Sequence, residues 1–333
     1  MKKVNQPQPQ PGSLAERLYE SQSPIIIGVA GDSGSGKSTY TQGIEWLLGP
    51  GLVSQISLDG YHAEDRAHRR VSGRSPLDPQ ANHLDKAAEH LARLRRGEQV
   101  EIPTYNHASG CFDAPRLCSP TPVIMVEGLH TLYPVFSSVM DYSVYVDTVP
   151  AVKLVWKKAR DTRERGYEEA EVEAELKRRA THYEQWIAGQ QNDANVILRI
   201  HPSELGRLAA GVLNHQDIEP SYHLEVIVTP IDDYDQPLFL PVDLNNMTRQ
   251  QALPFMLATV SSEFHGRDVN VLHVDGHMAP AALETLEREI CQFIGLSAPA
   301  GSPPAAERQP AAVRFAQMLI AWPILNRIAA LTR

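Results

Sequence analysis

The stretch Ile25-Ile26-Ile27-Gly28-Val29-Ala30-Gly31-Asp32-Ser33-Gly34-Ser35-Gly36-Lys37-Ser38 decides the fold. It runs from a continuous apolar, β-branched strand into a complete GxxxxGK[ST] loop, and a helical pattern follows. That is the strand-loop-helix frame the motif requires. Glycines at 31, 34 and 36 let the backbone wrap closely around a phosphate chain, with N–H groups pointing inward and the positive end of a helix behind them. Gly31, Asp32, Ser33, Gly34, Ser35, Gly36, Lys37, Ser38 and Thr39 are therefore candidate nucleotide-binding residues. Lys37 is suited to the outer phosphates and Ser38 to Mg²⁺. A merely flexible glycine turn does not account for the full match.

Working outward, short apolar runs recur at Val53 to Leu58, Val123 to Val126, Tyr142 to Val146 and Val196 to Ile200, with longer helical patterns between them. Continuous apolar strands alternating with helices predict an α/β fold, a mainly parallel sheet of the P-loop type covered on both faces. The spacing predicts helices over Ala81 to Arg96, stopped by Gly97, and over Glu168 to about Trp186, with acids in its early turns. Beyond residue 219 the pattern changes to strands, His223 to Thr229, Leu238 to Leu244 and Val269 to Val274, and a helix from Ala281 to Ile294. These either extend the sheet or form an added subdomain. Residues 1–23 read as a disordered tail, 24–296 as the main domain and 297–310 as a Pro/Ala/Ser linker. Residues 311–333 read as an amphipathic helix kinked at Pro323, docked on the body or on a second subunit, with attachment of its apolar face to a membrane surface as the other reading.

The 333 residues are 42% hydrophobic and 21% charged, which fits a globular protein and neither a disordered chain nor a membrane bundle. With 31 Lys and Arg against 40 Asp and Glu, the formal net charge of -9 argues against nucleic acid or anionic lipid as a partner. Any phosphate site must be local. No transmembrane segment and no signal peptide are expected. Three irregularly spaced cysteines suit a reducing cytoplasm, and none of the 13 histidines falls in a metal-ligand spacing, so no structural metal is expected.

Two strand ends supply carboxylates. Asp59 closes the Val53 to Leu58 strand, where ligands bind in open α/β sheets, and can serve as base for an acceptor hydroxyl. Its alternative role is to cap a turn. Glu127, after Val123 to Val126, is placed beside the glycine-rich loop to hold Mg²⁺ or its water shell. Basic residues concentrate in Lys153 to Arg165, where a helix would put Lys157, Arg160 and Asp161 on one face with Arg165 a turn on. Such a face could close over ATP and neutralise the migrating phosphoryl group; a solvated helix of ion pairs is the other reading. A second basic run, with Arg66, Arg69, Arg70 and Arg74, suits an acceptor phosphate, although Arg69 and Arg70 read better as solvated loop residues.

These residues resemble the phosphoribulokinase branch of the phosphoribulokinase/uridine kinase family over Ile25 to Ser203. The features that separate the branches are Leu58-Asp59-Gly60-Tyr61-His62 with Arg66, Leu77-Asp78-Pro79-Gln80-Ala81-Asn82, and Pro103-Thr104-Tyr105-Asn106-His107 leading to Gly110. The resemblance implies a kinase using ATP and Mg²⁺, with Asp59 as catalytic base and Lys37, Lys157, Arg160 and Asp161 in the catalytic apparatus. It implies His62, Arg66, Tyr105, His107 and Arg165 on a sugar phosphate, and Ser38 and Glu127 on the metal. A homo-oligomer is expected. The implied reaction is phosphoryl transfer from ATP to O1 of D-ribulose 5-phosphate. Alternatives are a same-fold kinase for uridine or another sugar phosphate, and a nucleotide-binding regulatory protein without turnover. Ser35 stands where thioredoxin-regulated members have cysteine, and Gly60 replaces a second Asp common in that motif.

Overall fold

The computed structural model describes residues 10–21, 23–49, 51–165, 168–205, 221–230, 255–296 and 311–333. In chain order its elements begin with α1 (Leu14–Glu20), β1 (Ile25–Gly31), α2 (Lys37–Leu48), β2 (Val53–Ser57), α3 (Arg66–Ser72), α4 (Leu84–Arg95), β3 (Val100–Asn106), β4 (Cys111–Cys118), β5 (Val123–Gly128) and β6 (Tyr142–Thr148). They continue with α5 (Pro150–Arg165), α6 (Glu169–Trp186), β7 (Val196–Pro202), β8 (Tyr222–Val228), β9 (Phe255–Phe264), β10 (Arg267–Gly276), α7 (Pro280–Ile294) and α8 (Ala311–Leu331). The chain divides into two compact units, one of Gln22–Thr41 and Ser54–Ile197, the other of Met1–Ser21, Gln42–Val53 and Leu198–Arg333.

In the first unit the strand order is β2-β5-β1-β6. β1 pairs in parallel with β5 and β6, and all seven of its residues are buried. That explains its continuous apolar run: a parallel strand covered on both faces has no polar side to alternate with. Ile26, Ile56, Leu58, Leu91, Leu94, Ile102, Ile124 and Phe136 close one core layer. Register does the placing, for Val29 lies opposite Glu127 and Gly31 opposite Val146. At Gly31, with φ +150°, a Cβ would lie 2.3 Å from the Val146 carbonyl oxygen, so only glycine lets the chain leave β1 against β6. The expected helices are α4 and α6. Glu168 and Glu171 form a reciprocal capping box at the start of α6.

The β3–β4 hairpin was not expected from the sequence. It is antiparallel, with an irregularity at Pro103 between the pairs Ile102↔Arg116 and Thr104↔Asp113, as a strand proline requires. All of β4 but Cys118 is exposed, so it has no apolar alternation to read.

In the second unit β8, β10 and β9 form antiparallel ladders in that order. The expected strands at His223 and Val269 are β8 and β10; β9 was not expected, and the expected strand Leu238 to Leu244 lies outside the described residues, as does the linker 297–310. Residues 14–20, expected in a disordered tail, form α1, whose N-cap Ser13 accepts a hydrogen bond from Glu16 N and whose Leu14 and Leu18 are buried. The one-sided terminal helix is also corrected. α8 runs through Pro323 and is covered on nearly every side, Gln317 and Asn326 included. Phe315 meets Phe255 and Trp322 meets Phe293, so α8 is a core helix.

Candidate active site

The candidate site lies within the first unit. The glycine-rich loop is fastened from inside: Lys37 Nζ donates to the carbonyls of Gly31 at 3.0 Å and Asp32 at 2.9 Å. Thr148 Oγ1 donates to the Ser35 carbonyl at 2.8 Å. Ser35 Oγ is buried, and Thr39 N bonds the Gly36 carbonyl as α2 begins. Burial pulls the Lys37 ammonium below its ordinary pKa, against the charges of Glu127, Asp59 and Asp32, which hold it up. Three carboxylates from separate strand ends thus act on one lysine.

Ser38 Oγ donates to Glu127, 2.9 Å from Oε2 and 3.2 Å from Oε1. Burial raises the Glu127 carboxyl, while Lys37 and the Ser38 hydroxyl lower it. A hydroxyl and a carboxylate short of positive charge form an oxygen donor set that fits Mg²⁺.

Asp59 sits in the 3-10 turn Leu58–Tyr61, capped by Ser57 Oγ. His107 Nε2 lies 3.0 Å from its Oδ2 and His62 Nε2 is 3.7 Å from Oδ1. Burial alone would raise the Asp59 carboxyl; the His107 hydrogen bond and the charges of His62, His107 and Lys37 hold it well below the usual carboxylate range. Its other reading, a turn cap, is not supported, because here Asp59 receives the cap. The Asn82 amide fixes His62 through Nδ1 at 2.7 Å. Tyr105 stacks edge-on against both His62 and His107. The hairpin thus delivers Tyr105 from β3 and His107 from the turn that follows it to the Asp59 turn. Asn106 Oδ1 shapes that delivery by accepting from Ala108 N and Ser109 N.

Of the arginines, Arg66 is at the start of α3, where its Nη2 donates to the His107 carbonyl. Arg69, read as a solvated loop residue, instead donates to the Tyr105 hydroxyl at 2.9 Å and to the Glu64 carbonyl at 2.7 Å. Arg69 and Arg70 are adjacent, yet a helix turns them apart, and only Arg70 is exposed.

α5 holds a different arrangement from the expected one. Lys157, expected over the phosphoryl group, is buried and closes on Asp161 at 2.7 Å and Glu175 at 3.3 Å, its stem packed on Gly34. Arg160 Nε holds Asp161 at 2.8 Å, and its Nη2 reaches Ser33 Oγ at 3.5 Å. Arg165 ends α5, and its side chain lies outside the described residues. The charges do not form a simple solvated face. Arg179 from α6 joins Asp32 to Glu175 at 3.1 Å each, and Lys153 holds Asp32 at 3.0 Å. Burial would raise Asp32, but Arg179 and Lys153 bring it down to about 2. Lys153, Glu175 and Arg179 therefore anchor the loop, a role no motif in the sequence marked.

A family model described as "Phosphoribulokinase / Uridine kinase family" matches residues 26–205. The chain belongs to this family. Phosphoribulokinase of Synechocystis is 37% identical over 182 residues, 54% of this chain and 55% of the relative. Chloroplastic phosphoribulokinase of Spinacia oleracea is 35% identical over 202 residues, 55% of this chain and 50% of the relative. The chain thus spans about half the length of these curated relatives. A uridine kinase of Chloroflexus aurantiacus is 35% identical over 148 residues, 43% of this chain and 70% of the relative. The solved phosphoribulokinase from Rhodobacter spheroides superposes with a TM-score of 0.54 and 17% identity, covering 94% of this chain and 99% of that one. That likeness supports the α/β P-loop kinase fold of the family.

Proposed function

We propose that the chain is an ATP-dependent kinase that transfers the γ-phosphoryl group to O1 of D-ribulose 5-phosphate. The observation that carries this reading is Asp59, kept ionised between Lys37 and the His62–His107 pair at the mouth of the phosphate loop. In this reading the loop amides and Lys37 hold the ATP phosphates, and Arg160 steadies the loop at Ser33. Mg²⁺ held by Ser38 and Glu127 would neutralise charge on the phosphate oxygens. His62, His107 and Tyr105, with Arg66 and Arg69 behind them, form the acceptor side. So acidic a carboxyl does not strip O1 of its proton in advance. Asp59 aligns the hydroxyl and takes the proton as the bond to phosphorus forms, in keeping with a loose transition state. The pair of products is ribulose 1,5-bisphosphate and ADP.

A second reading, a nucleoside acceptor, is favoured by the match to a uridine kinase. ATP consumption measured with ribulose 5-phosphate and with uridine distinguishes the two, and nucleotide binding without acceptor-dependent turnover would point to a regulatory protein. We place the protein in a reducing cytoplasm, in keeping with three free cysteines, and expect a homo-oligomer. Among the described residues no helix is long and apolar enough to cross a membrane.

A further inference from the structure

Away from the phosphate loop, the second unit gathers histidines on one face of its sheet. In the β8–β10 ladder His223 lies opposite Asp275 and Glu225 opposite His273. Residues two apart on a strand share a face, so all four side chains project to the same side. His201, on β7, joins them, its Nε2 3.5 Å from Glu225 Oε2. His223 Nε2 is 3.0 Å from His273 Nδ1, and that nitrogen is 3.9 Å from Glu225 Oε1. One ligand atom each from His223, Glu225 and His273 falls within 4.8 Å of the others. The edge of a tetrahedral zinc site is about 3.4 Å, given bonds of about 2.1 Å; the observed separations bracket it.

Two features set this cluster apart from ordinary sheet packing. His223 Nδ1 is buried without a hydrogen-bond partner among the described residues, a costly state for an imidazole nitrogen. Asp275 is fully buried and fixed by the Ser203 hydroxyl at 2.8 Å and Glu204 N at 2.6 Å, and it faces His223 Nδ1 at 3.7 Å. A carboxylate behind one imidazole nitrogen, with the other nitrogen turned to a cluster of donors, is the carboxylate–histidine–metal arrangement.

We infer that His223, Glu225 and His273 form a site for a divalent transition metal of the zinc type, with Asp275 orienting His223 and His201 paired to Glu225 beside it. Two imidazoles and one carboxylate suit such an ion and not Mg²⁺, which prefers oxygen. With three protein ligands the ion ties β8 and β10 together and leaves a fourth position for water.

The test uses the full chain, stripped with EDTA and dialysed against micromolar Zn²⁺ in a large excess of Mg²⁺, which occupies Glu127 and Ser38. One zinc per chain is expected to remain, and zinc, not Mg²⁺, is expected to raise the melting temperature. His273→Ala and Glu225→Ala should lose both effects, while His265→Ala, outside the cluster, keeps them. Unchanged melting in EDTA shows that a variant still folds. Co²⁺ in the native chain should give the intense visible bands of four-coordinate nitrogen and oxygen ligation. The inference is overturned if the native chain retains no zinc, or if His273→Ala retains as much as the native chain.

Discussion

Asp59 accepts from His107 Nε2 at 3.0 Å, and this contact should set the acid side of the pH profile. A carboxyl depressed in the folded protein stays ionised until pH falls through its lowered pKa, so the native enzyme should hold its kcat/KM through the usual carboxylate range. In His107→Ala the strongest lowering influence is gone and burial still pushes upward. The acid limb should then move to higher pH, and a limb that stays in place would remove His107 from this role. Asp59→Ala should reduce kcat by about 10²- to 10⁴-fold with ATP affinity little changed, measured by steady-state kinetics and nucleotide titration. Among single residues, Asp59, Lys37, Ser38 and Glu127 were legible in the sequence because each closes an apolar strand or sits in a fixed motif. Arg69 was not, since its partner Tyr105 lies 36 positions away and a linear reading assigns it to solvent.

The elements carry their own tests. Gly60 stands where a related motif has Asp, and a Cβ there would lie 2.0 Å from the Pro103 carbonyl oxygen. The β3–β4 hairpin therefore passes too close for any side chain. Gly60→Asp should displace the hairpin, weaken acceptor binding through Tyr105 and His107, and cost about 1–3 kcal/mol in urea unfolding. α5 and α6 join Asp32, Asp161, Lys153, Lys157 and Arg179, with the part-exposed Glu175, in one set of ion pairs. Arg179→Met leaves Asp32 and Glu175 short of positive charge and should cost about 3–5 kcal/mol in the same measurement. The sign with pH follows from Asp32: its contribution is complete above the ordinary carboxylate pKa and is lost as pH falls toward about 2. The parallel strands were readable because burial on both faces leaves an unbroken apolar run. β4 was not, because its exposed Cys111–Leu117 has no such constraint, and the ion-pair role of α5 depends on α6, which composition alone cannot bring beside it.

For the whole molecule, the net charge of -9 concealed a local concentration of cations in the first unit, as its arithmetic allowed. The same arithmetic could not reveal the histidine cluster, whose members His201, His223 and His273 are separated by 22 and 50 residues and meet only through strand pairing. α8 was read as one-sided because a sequence pattern shows apolar positions but not how many neighbours cover them. Its deletion from Ala311 should expose the faces around Phe255 and Phe293 and yield a chain that aggregates or binds a hydrophobic dye, measured by solubility and dye fluorescence. The division of the chain has a temporal consequence. Leu14, Leu18, Ile44 and Leu47 belong with residues 198–333, so while the protein is being made these apolar side chains emerge long before the strands and helices of their own unit exist. Their protection during synthesis must come from transient contacts or from chaperones, and the second unit can complete itself only once α8 has left the ribosome.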